Sequence, residues 1–204
     1  MLADTIVAAA IQSTPLTTRD LDRWQAHLYP LDVASEARAW AGLVPGRAGH
    51  STCGVHALAC YREGGVDGRI VWRGTERDVV AGPYAPLSIS GGAIAVLRAL
   101  GDAHGATRLP SEAGEVVPGA VIVVDEHNPH AIVVTSVGLA TGGYVPLVTS
   151  EGGQVDDHGS TAVRERAREL RDVATGAWVV RDRGATGQGR RVLFWLDPAR
   201  LRSR

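Results

Sequence analysis

Hydrophobic positions recur at helical intervals in the first half of this chain and in alternating or continuous runs in the second. Thr17-Thr18-Arg19-Asp20 offers helix-starting side chains ahead of LDRWQAHLY, and Pro30 ends that run. Asp32 caps a second run, VASEARAWAGL, in which Ala34, Ala37 and Ala41 keep helical spacing. After the loop PGRAGH, Ser51 and Thr52 read as N-caps of a third helix, CGVHALACYRE, closed by Gly64 and Gly65. Residues 67–88 read as loop, and Ser90 precedes a further helix, GGAIAVLRALGDAHG.

Beyond Pro110 the period changes. AVIVVD and HAIVVTSV are short β-branched runs separated by EHNP, which predicts a hairpin. Gly142-Gly143 turns the chain into YVPLVTS, the sheet is expected to pause over EGGQVDDHG, and AWVV and RRVLFWLD supply two more strands. The segment AVRERARELRDV fits either period. Val163, Ala167 and Leu170 would share a helix face, yet its arginines also alternate with Val163, Glu165, Ala167 and Glu169 as in a strand. With no repeat or linker, the pattern predicts one domain over 1–204 of α+β class. Helices come first and pack on an antiparallel sheet, with 1–45 a helical extension and 46–204 the core.

Composition narrows the function classes. The chain has 204 residues, 45% hydrophobic and 21% charged, which is ordinary for a globular domain. Its formal net charge is -1, without the basic excess of a protein that binds nucleic acid by neutralising phosphates. The apolar stretch from Ile6 to Ile11 lacks a basic flank and is short for a secretory signal, and no run approaches a membrane span. The expectation is a cytoplasmic product with no membrane partner, with export by another route left open. Cys53 and Cys60 on one helix would stand about 10 Å apart at the helical rise, too far for a disulfide, so both read as free thiols.

Candidate chemistry centres on three places. Cys53 lies at the expected first turn of a helix, where unpaired backbone N–H groups and the dipole favour thiolate and can receive an oxyanion. On position alone it reads equally as a buried helix-start cysteine. Cys60, two turns deeper among apolar neighbours, reads as a small hydrophobe. His130 opens a core strand, so its backbone is fixed while its ring is free to serve as a base; His127, in the turn, is the competitor. Glu151 and Gln154 in SEGGQ are the candidates for orienting the imidazole, unless that run is a plain turn bent by Gly152-Gly153.

The order of STCGV, PGAVIVVDEHNPHAIVVTSV and SEGGQ resembles the papain-like cysteine peptidases and amidases of the CHAP and NlpC type. Ala120 stands where that group's turn carries Asp, and Ala131 where its strand carries Val. The resemblance covers roughly 51–154 and the closing strand. It implies a papain-like fold with the nucleophile helix packed on the sheet, and hydrolysis of an amide bond through a thioester. Cys53 would be the nucleophile, His130 the base, Glu151 or Gln154 the third residue, and the Cys53 N–H an oxyanion donor. The implied substrates are peptides, peptidoglycan peptides among them, with no cofactor. A catalytically silent binding module, and a Cys–His effector that deamidates or transfers acyl groups, are the alternatives.

Weaker features complete the picture. Two cysteines seven apart and scattered histidines give no zinc spacing, so no metal is expected. His50 reads as a loop residue, and His158 with Asp156 and Asp157 as a solvated loop. From Ser160 to Arg204 eleven arginines meet five carboxylates. This asymmetry reads as exposed arginine on strand edges, with an anionic partner as the other option.

Overall fold

The computed structural model describes residues 2–12, 49–80, 92–125, 129–155, 161–173 and 177–204. The helices expected over 17–29 and 32–43 lie outside these. Helix α1 spans Leu2–Gln12, α2 Gly49–Glu63 and α3 Gly92–His104. Strands β1 (Arg69–Trp72) and β2 (Thr75–Asp78) form a separate hairpin inside the expected loop. The remaining strands are β3 (Thr107–Arg108), β4 (Val121–Val124), β5 (His130–Val137), β6 (Tyr144–Val155), β7 (Thr161–Val173), β8 (Ala177–Asp182) and β9 (Arg190–Leu196). None of the described helices is long and apolar enough to cross a membrane.

The sheet does not stay open. Its order is β9-β4-β5-β6-β7-β8, and β8 pairs back on β9 through Val179 with Arg191 and Val180 with Arg190. Six antiparallel strands therefore close a barrel, while β3 pairs with the C-terminal end of β9, where Thr107 faces Leu196. This closure overturns the expected α+β, papain-like architecture: the protein is mostly β, with a few short helices. Two long strands cause the difference. The segment 161–173 takes the strand period rather than the helical one, and β6 runs on through the expected pause, absorbing Gly152-Gly153 as a register shift between Glu151 and Gln154. Long neighbouring strands carry the accumulated twist far enough round for β8 to meet β9.

Alternation then makes two cores. Ile122 and Val124, Ile132 and Val134, Val145 and Leu147, Leu170, Val180, Val192 and Trp195 fill the barrel. The opposite parity of the same strands, Val121, Val123, Ala131, Val133, Phe194 and Leu196, faces Ile6, Ala10, Leu58, Tyr61, Leu97 and Leu100 from the three helices. That two-sided burial is why β4 and the start of β5 read as continuous apolar runs. Ile6, Ala9 and Ala10 show that α1, from the expected 1–45 extension, is part of the outer core. The glycine stop of α2 takes the expected form: the Gly64 N–H donates to Cys60 O at 2.9 Å, and Gly65 has φ +84°.

Candidate active site

Helix α2 begins at Gly49, two residues before the expected caps, so Ser51 and Thr52 lie within it. Cys53 thus sits at the start of the second turn, and in a helix starting there its own N–H enters the i→i−4 ladder with Gly49. The expected use of that N–H for an oxyanion is not what this helix start offers. The sulfur instead has the backbone N–H groups of Ala131 and Gly54 beside it, together with His130. Cys53 is fully buried, at 0% exposure.

His130 reaches Cys53 from the rim of the barrel. It opens β5 with the parity of Ile132 and Val134, so its ring turns toward the interior, and it is 6% exposed. Glu151 arrives from the neighbouring strand with the inward parity of Val145 and Leu147, and is 0% exposed. The His130 Nε2–H donates to Glu151 Oε2 at 3.0 Å. With Nε2 so engaged, Nδ1 is the nitrogen left to exchange a proton with sulfur.

Two further residues hold Glu151. The Thr149 hydroxyl donates to Oε1 at 2.7 Å, and Arg168 grips both oxygens, Nε to Oε1 and Nη2 to Oε2, each at 2.6 Å. Arg168 comes from β7 on the inward parity of Leu170, and its Nη1 pairs with Asp182 at the end of β8. These four donor contacts match the roughly four lone-pair sites of a carboxylate. An anion so saturated has one orientation available to it.

The electrostatics follow from this geometry. Burial alone would raise the Cys53 thiol, but the hydrogen bond and charge of His130, with the Ala131 and Gly54 N–H groups, outweigh it and hold the thiol below its ordinary value. Burial alone would lower His130; its bonds to Cys53 and Glu151 raise it instead, to about 9. Burial would likewise raise Glu151, and the bonds from His130 and Arg168 bring it down to about 2. All three directions favour one state: thiolate, imidazolium and carboxylate, with Arg168 as the balancing cation.

Behind the pair lies a second buried histidine. His56 follows Cys53 by three residues on α2, is 0% exposed, and burial pushes it down to about 4, so it is neutral near pH 7. Its Nε2 lies 3.0 Å from Ser150 Oγ, whose hydroxyl donates to the Ala10 carbonyl at 3.0 Å. Cys60 Sγ lies 3.8 Å from the same ring. This chain ties α2, β6 and α1 together directly behind Glu151.

Of the residues singled out in the sequence, Cys53, His130 and Glu151 are brought together. Gln154 lies beyond the register shift, opposite Ala162, and its side chain is outside the described residues. His127 and His158 lie outside the described residues. Three residues were missed, Arg168, Thr149 and His56. Arg168 was signalled by its parity with Leu170, since an arginine on an inward strand face needs a buried acid. His56 was signalled by the i, i+3 spacing from Cys53, which puts both on one helix face.

The arginine excess after residue 160 is partly taken up inside the fold. Arg168 pairs with Glu151 and Asp182, and Arg171 and Arg181 pair with Glu169. Among the described residues no group of three or more His, Cys, Asp or Glu is placed to hold a metal ion. Compared with family profiles, curated proteins and solved structures, the chain matches none.

Proposed function

We propose that this protein is a cysteine-dependent amide hydrolase. One observation carries the reading: a thiol is in hydrogen-bonding contact with a histidine whose Nε2 is held by a buried, ionised carboxylate. The pairing lowers the thiol and raises the imidazole, the direction of proton transfer that a cysteine nucleophile requires. Cys53 Sγ attacks the amide carbonyl, and the imidazolium of His130 gives its Nδ1 proton to the departing amine. The thioester is then hydrolysed by a water that His130, now neutral, deprotonates, and the thiol is released as thiolate again. Glu151 keeps the imidazole in the orientation both transfers need. The Ala131 N–H group, from the strand rather than the helix, stands beside the sulfur and is the backbone donor offered to the oxyanion. Peptide amides are the substrate class, and peptidoglycan peptides are the first to test on the strength of the sequence resemblance. Acyl transfer or deamidation proceeds through the same thioester.

A second reading is favoured by one specific fact, the 0% exposure of Cys53. In it the triad is a buried polar network of a binding module and performs no reaction. Site-resolved alkylation against pH separates the two. The hydrolase reading expects Cys53 to react with iodoacetamide already below pH 7 and His130→Ala to move that onset upward. Cys60 stays inert in the same experiment. A Cys53 that reacts like an ordinary thiol, or one indifferent to His130, refutes the hydrolase reading and leaves the binding module.

A further inference from the structure

The far side of Glu151 carries a further charged contact, from Arg168. The Glu169–Arg171–Arg181 group closes on itself through ion pairs and the Gly184 N–H. Arg168 is different, because its fork ends on a group that itself touches His130. We infer that Arg168 is a positioning residue of the site, holding Glu151 as an oriented anion against His130 and thereby keeping Cys53 in its thiolate state. The inference rests on reading Cys53 and His130 as a nucleophile–base pair and adds to it a residue that touches neither.

The geometry carries the argument. Nε and Nη2 of Arg168 meet the two carboxylate oxygens at 2.6 Å each, the parallel bidentate arrangement that fixes a carboxylate in plane as well as in charge. Glu151 is wholly buried, so water cannot replace those two bonds. The fork leaves Oε2 aimed at His130 Nε2. Arg168 is in turn anchored at its free end by Asp182, across the β7–β8 pairing of those two residues. The orientation of the imidazole on β5 is thus set from two strands away, by a side chain of β7 that β8 holds in place.

Removing Arg168 has two possible consequences for Glu151, and both act on Cys53 in one direction. Where the carboxylate stays ionised, the site gains a net negative charge and a thiolate becomes harder to form. Where burial drives it to take up a proton, His130 loses the anion that supports its imidazolium, and the pair reverts to thiol and imidazole. Either way the onset of thiolate moves to higher pH.

The test uses the full chain with Cys60→Ala as the reference, so that thiolate ultraviolet absorbance reports Cys53 alone and needs no reagent to enter the site. Arg168→Gln is expected to move the thiolate onset up by about one pH unit or more, about tenfold less thiolate at a fixed pH on the acid limb. Arg168→Lys, which keeps the charge and loses the fork, is expected to move it by less and covers the case in which Arg168→Gln does not fold. Melting temperature is recorded alongside. An onset unmoved in any variant that stays folded overturns the inference and makes Arg168 a structural ion pair, even when the melting temperature falls. An ordinary onset in the reference itself overturns the hydrolase reading, and this inference with it.

Discussion

Replacing Glu151 by Gln isolates the most heavily engaged charge in the molecule. Glu151 is fully buried and accepts from His130, Thr149 and twice from Arg168. Its folded value is about 2 against an ordinary 4.5. A depressed carboxylate contributes stability that is present above its unfolded value and lost as pH falls through the folded one. The shift converts to about 3 kcal/mol at neutral pH, in line with the cost of breaking a buried ion pair from one side. The neutral amide also cannot accept both arms of the Arg168 fork, because in either orientation its NH2 must face one of them. Urea unfolding followed by tryptophan fluorescence, for wild type and Glu151→Gln at a series of pH values, reads this directly. The wild-type advantage should hold from pH 7 down to about 4.5 and then shrink toward pH 2. A stability difference that does not change between pH 6 and pH 2 would refute the reasoning, since it would mean that Glu151 titrates alike in folded and unfolded chains.

His130 runs the other way. Raised to about 9 from 6.5, it contributes stability that is fully present below 6.5 and lost as pH rises through 9, so the cost of His130→Ala, read in the same urea titrations, should be greatest on the acid side and fade above pH 9. Gly54→Ala would put a Cβ 2.7 Å from the Ala93 Cβ, forcing α2 and α3 apart beside the nucleophile. A loss of about 1–3 kcal/mol in denaturant unfolding, with slower Cys53 alkylation, is expected. Leu170→Ala, inside the barrel at 0% exposure, should cost about 2–5 kcal/mol by the same measurement. Barrel closure itself predicts slow hydrogen exchange at the paired residues of β8 and β9, Val180 with Arg190. Exchange there as fast as in the exposed Gly142-Gly143 turn would mean that the barrel opens at that seam.

The parts of the fold that were legible depended on neighbours in sequence. The VIVV/HAIVVTSV hairpin follows from β-branched runs around a short turn, the GG stop of α2 from the glycine backbone, and the Gly92–His104 helix from its own period. The segment 161–173 resisted because alternate arginines satisfy both periods when the partner strands are unknown. Gly152-Gly153 read as a turn because a glycine pair bends a free chain, whereas between two long strands it is absorbed as a bulge. The helix-start cues at Ser51 and Thr52 were overridden by α2 beginning two residues earlier.

The site divides along the same line. The sequence by itself determined the chemistry available: a thiol on a helix, a histidine opening a core strand, an acid at the end of the next strand, and an arginine series whose spacing suits strand and helix alike. Tertiary structure decided which of them meet. It set Glu151 on the inward parity of β6 beside His130, ahead of the register shift that separates it from Gln154. It supplied Arg168 through the pairing of β6 with β7, and put His56 and Ser150 behind the nucleophile through the docking of α1. It also closed the barrel, which no local pattern encodes, because closure depends on the summed twist and length of six strands rather than on the preference of any one of them.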